Sequence, residues 1–446
     1  MGTLHQPSIQ DLNVKIHYSN LLLPIQETHE HESMFLSNID KVLNFTVQTV
    51  HFFPANPEFP REVVAARLKK AIQKLMQGPY DFLAGKLNLN QQTGRLEIEC
   101  NGCGVGFVEA STEFTLEEMG DLVYPNPAYR ELITQSWDNN QDQYQPLCIF
   151  QVTSFECGSL VLGISTNHAL FDGLSFKIFL KNLASQAFDH HDHTPLAINP
   201  CNNRRLLASR SPPQVTFPHP EMLHLTGEHE HPVFSSEDED LDFKIFNLSP
   251  SSISYLKQKA KHCNKTTKIT SFNVVTAHIW RCKALSSPSQ SNRDRVSTIL
   301  YAVDIRSRLN PPLPHSYCGN AVLSAYASAR CMELEEEPFW KLVAMVSDGV
   351  ARMTDEYARS AIDWGDIHRG FPHGEVLISS WWRLGFDEVM YPWGKPVYSC
   401  PVVYHRKDII LLFPDAKGGR GVNVSVALPA KELQIFEQLF YKYLSA

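Results

Sequence analysis

The sequence predicts an α/β protein of two domains, and three observations carry that expectation. The chain has 446 residues, too many for one small hydrophobic core, so two domains are the default. Apolar runs of strand length occur along it together with stretches of helical spacing, which suits sheets covered by helices. From about Asp189 to Asp240 the composition turns to Pro, Ser, His and acidic residues, as in Ser211-Pro212-Pro213 and Ser236-Glu237-Asp238-Glu239-Asp240. That stretch reads as a long surface crossing or interdomain linker. The expected division is residues 1–188, a crossover at 189–240, and residues 241–446.

Taken in order, Val14-Lys15-Ile16-His17 opens a strand and loop that reach about residue 26. Leu43 to Phe53 alternates in polarity and reads as another strand. Glu62 to Met76 is helical, with Val63, Ala66, Leu68, Ile72 and Leu75 roughly on one face. Arg95–Cys100 and Gly106–Ala110 read as a hairpin. Leu147–Ser154 is a strand expected to pair with Ser159–Thr166 around Cys157-Gly158. In the second half Phe243–Leu248 is a strand, and Ser249 or Ser251 caps a helix to about Cys263. Thr270 or Ser271 caps another, in which Val274, Val275, His278, Ile279 and Cys282 repeat at helical spacing. Ser297–Val303 is a strand, Trp340–Met353 a helix, and Glu375–Ser380 a strand. Asp408–Phe413 and Gly421–Leu428 form a hairpin, and Glu432–Ser445 closes the chain as a helix.

The chain is organised around Ser165-Thr166-Asn167-His168-Ala169-Leu170-Phe171-Asp172-Gly173. Leu160-Val161-Leu162-Gly163-Ile164 reads as a buried strand leading in. Leu174, Ile178, Phe179 and Leu183, widened by Phe176 and Leu180, give helical spacing leading out. His168 therefore stands at a strand-to-helix junction, the place where ligands bind in α/β folds. Its imidazole titrates near neutrality, so it can take a proton from a hydroxyl or amine and give it back. A bland alternative stays open: a hydrogen-bonded structural histidine, with Asp172 as the N-cap of a helix that starts at Gly173.

Lys and Arg number 40 against 48 acidic residues, a formal charge of −8 that argues against a nucleic-acid surface. No apolar stretch approaches about 18 residues, so no membrane span is expected. Met1-Gly2-Thr3-Leu4-His5-Gln6 lacks the apolar core of a signal peptide, which makes cytoplasmic residence the expectation and keeps the cysteines reduced. Cys100-Asn101-Gly102-Cys103 is a C-x-x-C without a second ligand pair, so no metal site is expected. The cluster His190-His191-Asp192-His193 reads as solvated polar tract.

Several stretches, in order, resemble one family, the plant BAHD acyltransferases, which use acyl-coenzyme A. His168 to Gly173 matches the family's His-x-x-x-Asp-Gly motif. Pro79-Tyr80-Asp81-Phe82-Leu83-Ala84-Gly85-Lys86 resembles its Tyr-Pro-Leu-Ala-Gly-Arg segment. Asp304-x-Arg306-x-Arg308, Tyr317-Cys318-Gly319-Asn320, Ser379-Ser380-Trp381 and Trp393-Gly394-Lys395-Pro396 continue the series, and the likeness covers nearly the whole chain. The resemblance implies two α/β domains of the chloramphenicol-acetyltransferase type, joined by a long crossover loop. An active-site channel is implied between them, with the Trp-Gly-Lys-Pro signature in the second domain. Acyl-coenzyme A is implied as co-substrate, with no permanently bound cofactor, a small alcohol or amine as acceptor, and a monomer.

The same resemblance implies the roles. His168 is the general base, and Asp172 holds the loop without moving a proton. Ser379 and the Trp381 indole N–H stand at the family's positions for oxyanion donors. Lys268, Thr270 and Ser271 match a region that touches coenzyme A. One departure stands out. Where the family has Asp-Phe-Gly-Trp-Gly-Lys-Pro, this chain has Met390-Tyr391-Pro392-Trp393-Gly394-Lys395-Pro396. The family Asp usually pairs with an arginine of the segment holding Arg306 and Arg308, so its loss is expected to leave a guanidinium short of a partner unless Asp387 or Glu388 substitutes.

The leading expectation is an acyltransferase that makes an ester or amide. Segments such as Leu384–Val389 and Glu32–Asp40 look closest to members acting on hydroxycinnamoyl, coniferyl or fatty alcohol substrates. A catalytically impaired relative, acting as a binding partner in lipid or wax metabolism, is the alternative that Met390 and Pro392 favour and His168 opposes. A condensation domain shares the His-x-x-x-Asp-Gly logic, but no carrier or adenylation segment accompanies it.

Overall fold

The apolar run before His168 lies in strand Leu160–Asn167, buried along all but its last residue. The computed structural model describes residues 9, 11–25, 33–124, 126–134, 137, 145–188, 195–225, 240–261, 269–287, 293–402, 406–415 and 420–445. The chain folds as two units. One comprises Met1–Ala208, Leu313–Asn320 and Leu384–Val403; the other comprises Ser209–Pro312, Ala321–Arg383 and Tyr404–Ala446.

The first unit is built on a six-stranded sheet. Its order is Lys15–Leu22, Val105–Ser111, Cys148–Ser154, Leu160–Asn167, Thr46–Phe53, Tyr398–Pro401. Neighbours run antiparallel except Val105–Ser111 with Cys148–Ser154. The sheet is closely covered at its centre: a Cβ on Gly163 would stand 2.1 Å from the Leu132 carbonyl oxygen, so only glycine fits there. Helices Arg61–Met76 and Gly173–Ala187 pack on each other. Phe176, Phe179, Leu180 and Leu183 are buried on the second of them. Phe171 stacks on Phe179 at 5.3 Å, with Tyr80 and Phe82 completing an aromatic bed under the His168 loop. Burying each such ring is worth about 1.5–3 kcal/mol.

Three expectations for this unit are corrected. The buried face of helix Arg61–Met76 carries Val64, Leu68, Ile72 and Leu75, whereas Val63 and Ala66 are exposed. The 64-68-72-75 spacing keeps step with the helical turn, and Val63 lies off it. Leu96–Glu99 does not pair with Val105–Ser111; it joins Ser33–Phe35 and Lys86–Leu89 in a separate three-stranded sheet. Gly102 and Gly104, at φ 68° and 97°, redirect the chain between the two sheets, so Cys100-x-x-Cys103 sits in a connector and not a hairpin turn. Finally, a linear division at residue 241 puts Trp393–Pro396 with the second domain. Strand Tyr398–Pro401 instead extends the first sheet beside Thr46–Phe53, and Tyr391 and Trp393 both meet Phe53 edge-on.

The second unit carries a mixed sheet in the order Asp242–Leu248, Val422–Leu428, Ile409–Pro414, Val376–Ser380, Val296–Asp304, Val322–Arg330. Val376–Ser380 runs parallel to both neighbours. Helix Ser271–Ser286 packs against Ala430–Lys442 and Phe339–Arg352. Ser249 and Thr270 are the N-caps, accepting from Ser252 N at 3.1 Å and Asn273 N at 3.0 Å. The Ser249-capped helix ends at Lys259; Cys263 lies outside the described residues. Strand Val322–Arg330 and helix Asp355–Ile367 went unread in the sequence.

The stretch expected as a surface crossing is partly interior. Arg204 and Leu207 are buried in the first unit, and His219 and Glu221 in the second. Polar partners make this possible. Arg210 Nε donates to Asp363 at 2.6 Å, Thr216 N donates to Ser360 Oγ at 2.9 Å, and His219 bridges Ser360 and Glu221. Residues 189–194 and 226–239, including the His190–His193 cluster, lie outside the described residues. Among the described residues no helix is long and apolar enough to cross a membrane.

Two histidines are buried neutral. The ring nitrogens of His51 meet Ser399 Oγ at 2.9 Å and Thr49 Oγ1 at 3.1 Å, and burial lowers its pKa to about 3. His278 packs edge-on to Phe440 at 4.7 Å; burial, then Arg281 and Lys259, lowers its pKa to about 3. In the unfolded chain both rings take up a proton below pH ~6.5. The unfolded state then binds more protons, so stability falls as pH drops from about 6.5 towards 3, by about 1.4 kcal/mol per pH unit for each ring. Denaturant titrations at neutral and mildly acidic pH should show that loss, and His278→Leu should shrink it. An unchanged pH difference in that variant would overturn the account.

Candidate functional site

His168 follows strand Leu160–Asn167 and precedes helix Gly173–Ala187, in a turn closed by its own neighbours. Its amide donates to Phe45 O at 2.8 Å, and its ring leans on Phe45 at 5.2 Å. Asn167 Oδ1 accepts from Ala169 N at 2.9 Å, which tightens the turn. The side chain is partly buried. Burial holds its pKa below the usual 6.5 for histidine, against the raising effects of its own backbone, Asp172, Asn320 and Asp40. The resting ring is therefore neutral at physiological pH, the form a general base needs.

Asp172 acts on the ring through its charge, which raises the His168 pKa. It is the N-cap of helix Gly173–Ala187, where its Oδ1 accepts from Ser175 N at 2.9 Å. The side chain bonded to the imidazole is Asn320, whose Oδ1 lies 3.1 Å from His168 Nδ1. Asn320 Nδ2 donates to Asp40 Oδ1 and to His168 O, each at 2.8 Å. That settles the amide's orientation, because a flip would turn Oδ1 towards two acceptors. With Oδ1 facing the ring, Nδ1 must carry the proton. The lone pair then sits on Nε2.

Asp40 and Arg204 complete the cluster, and neither exposes any side-chain surface. Arg204 donates to Asp40 Oδ1 at 2.8 Å, to Ala169 O at 3.1 Å and to Leu170 O at 2.7 Å. Sequence reasoning quoted Asn320 and Asp40 inside family-like segments without giving them a task, and missed Arg204. A signal for Asp40 was present: Ser37-x-x-Asp40 is a capping-box spacing, and both bonds of the box form. Arg204 had none, since it lies in a stretch that reads as polar linker.

In the second unit Ser379 is the fourth residue of strand Val376–Ser380, and Trp381 follows it, with its amide donating to Leu412 O at 2.8 Å. Both side chains are partly buried. Thr270 uses its hydroxyl as the N-cap of helix Ser271–Ser286, of which Ser271 is the first residue. Lys268 lies outside the described residues.

The expectation that a missing signature Asp strands an arginine is corrected. Arg306 donates to Asp304 Oδ1 at 3.0 Å, and Arg308 donates to Val350 O at 2.9 Å and Met353 O at 3.0 Å. Met390 is 52% exposed. Glu388 is engaged with Lys177 at 2.7 Å.

A model described as Transferase family matches residues 12–443. The chain belongs to that family, the plant BAHD acyltransferases. Acyltransferase GLAUCE of Arabidopsis thaliana is 56% identical to this BAHD chain over 450 residues, 99% of each. Omega-hydroxypalmitate O-feruloyl transferase of the same plant is 30% identical, over 96% of this chain and 93% of its own. Vinorine synthase, a solved structure, matches with a TM-score of 0.72 at 22% identity, over 95% of this chain and 96% of its own. The last likeness speaks for the fold, the α/β architecture of the chloramphenicol-acetyltransferase type. BAHD membership makes the chain an acyltransferase.

Within this BAHD site the guanidinium of Arg204 lies flat against Gly319. A Cβ there would stand 2.6 Å from Arg204 Nε and 2.8 Å from Cδ and Cζ. Gly319→Ala is expected to displace the guanidinium and lower stability by about 1–3 kcal/mol, read as a drop in melting temperature. A variant that melts with the parent would refute this packing.

Proposed function

We propose that the chain transfers an acyl group from acyl-coenzyme A to a hydroxyl, with His168 as general base. The observation that carries the reading is the His168 ring, with Nδ1–H committed to Asn320 and the lone pair left on Nε2. Nε2 takes the hydroxyl proton as the acceptor oxygen attacks the thioester carbonyl. A C–O bond forms, the tetrahedral oxyanion collapses, the C–S bond breaks, and Nε2 returns the proton to the departing sulfur. No acyl-enzyme is required. Ser379 and the Trp381 indole N–H serve as donors to the oxyanion. Lys268, Thr270 and Ser271 serve coenzyme A, the helix N-terminus after Thr270 suiting a phosphate.

The acceptor reading leans on a relative whose name pairs a feruloyl group with omega-hydroxypalmitate. We propose a hydroxycinnamoyl-coenzyme A donor and an aliphatic or specialised-metabolite alcohol, used by a monomer in the cytoplasm with no resident cofactor.

A screen of hydroxycinnamoyl-coenzyme A thioesters against fatty alcohols and ω-hydroxy acids, with mass detection, should yield an ester. His168→Ala should then lower kcat by about 10²–10⁴-fold, roughly 3–5 kcal/mol in barrier. Trp381→Phe should cost up to about 10²–10³-fold. Retained turnover in His168→Ala would sink the base assignment.

A further inference from the structure

We propose that Asp40 is a positioning residue of the acyl transfer, acting on His168 through the Asn320 amide, with Arg204 as its fixed counter-ion. The inference rests on His168 being the base. Three observations support it.

The bonding forms a directed chain. Arg204 donates to Asp40 Oδ1, Asp40 Oδ1 accepts from Asn320 Nδ2 at 2.8 Å, and Asn320 Oδ1 accepts from His168 Nδ1 at 3.1 Å. A carboxylate on the amide N–H draws electron density towards the amide oxygen, which makes it a better acceptor for Nδ1–H. As Nε2 takes the acceptor's proton, positive charge develops on the ring. The polarised amide then meets that charge with no solvent rearrangement. An asparagine alone would supply a neutral hydrogen bond; the carboxylate behind it supplies the charge. The charged groups acting on the ring are the Asp172 and Asp40 carboxylates. Asp40 is bonded to the amide that holds Nδ1.

The loop backbone is held by the same groups. Asn320 Nδ2 takes the carbonyl of His168, and Arg204 takes those of Ala169 and Leu170. Three successive carbonyls after the strand are therefore anchored on one ion pair and its amide. The ring's position and its tautomer have a common support.

The pair is also an expensive way to build a core. Neither partner exposes any side-chain surface, and a buried ion pair is often replaceable by apolar residues at no loss of stability. Burial lowers the Arg204 pKa, yet the Asp40 charge leaves it above its ordinary value, so the guanidinium stays charged. The charge kept on Asp40 stands one amide away from the ring on which positive charge develops.

The experiment uses the full chain with three variants: Asp40→Asn, Asn320→Ala, and the double variant Asp40→Asn with Arg204→Gln. The double variant guards against misfolding caused by a stranded guanidinium. Melting curves first establish that each variant is folded. For folded variants kcat should fall about 10–100-fold, as for other partners that orient a functional imidazole, while KM for acyl-coenzyme A changes little. The acidic limb of the kcat/KM profile should move to lower pH, because the imidazolium has lost its support. Nitrogen-15 spectra of labelled histidine should show the His168 proton on Nδ1 in the parent and a mixture of tautomers in the variants. A folded variant with parental kcat, an unmoved acidic limb and an unchanged tautomer overturns the proposal. Lost stability with parental kcat per folded molecule overturns it as well, since the pair is then structural. Retained turnover in His168→Ala is a separate failure: it removes the base, while the nitrogen-15 spectra still decide whether Asp40 sets the tautomer.

Discussion

A single carboxylate without access to water organises the surroundings of His168. Asp40 accepts two hydrogen bonds from Ser37, two from Asn320 and one from Arg204. Removing a carboxylate from water costs several kcal/mol unless its acceptor sites are filled and a counter-charge stands close. Both conditions hold here. Satisfying them ties together residues 40, 169, 170, 204 and 320, which are remote in sequence. The imidazole is tied to that arrangement through Asn320, whose amide bonds both its Nδ1 and Asp40.

Close packing performs a related task. Gly163 lets the Leu132 carbonyl approach the strand that delivers His168, and Gly319 lets the Arg204 guanidinium lie against the backbone before Asn320. In both places the absent side chain allows a close approach, and at Gly319 it lets Arg204 reach Asp40, Ala169 O and Leu170 O. The aromatic bed of Tyr80, Phe82, Phe171 and Phe179 fills the volume around the loop, and the Tyr80 hydroxyl is occupied by Asn182 Nδ2 at 2.8 Å. The loop carrying His168 is thus held by polar bonds to its carbonyls and by the packing of Phe171 on neighbouring rings.

The altered second signature reads differently once its surroundings are considered residue by residue. Met390 is exposed, while Tyr391 and Trp393 stack at 5.1 Å and are buried. The aromatic part of the signature keeps its packing role, and the following strand completes the edge of the first sheet. Arg306 and Arg308 have oxygen partners in their own unit. Loss of the family aspartate therefore removes a charge at the surface of the first unit without stranding the arginines that motivated concern.

Local pattern was enough for much of this chain, because periodicity and caps act over a few residues. The strand into His168, the helix out of it, the Thr270 cap and the ordered motif series were all readable, and with them the α/β class and the acyltransferase family. Strand Val322–Arg330 escaped because its Ala and Ser residues carry little apolar signal. Tyr398–Pro401 escaped because sequence order says nothing about which sheet a strand will join. Arg204 looked like linker, and became interior because two carbonyls and a carboxylate from elsewhere accept its hydrogen bonds. The sequence by itself determined that a histidine would stand at a strand-to-helix junction in an acyltransferase. Only the tertiary structure decided which nitrogen of that histidine holds the proton, because the groups that choose it are brought together by long-range hydrogen bonds that no local spacing encodes.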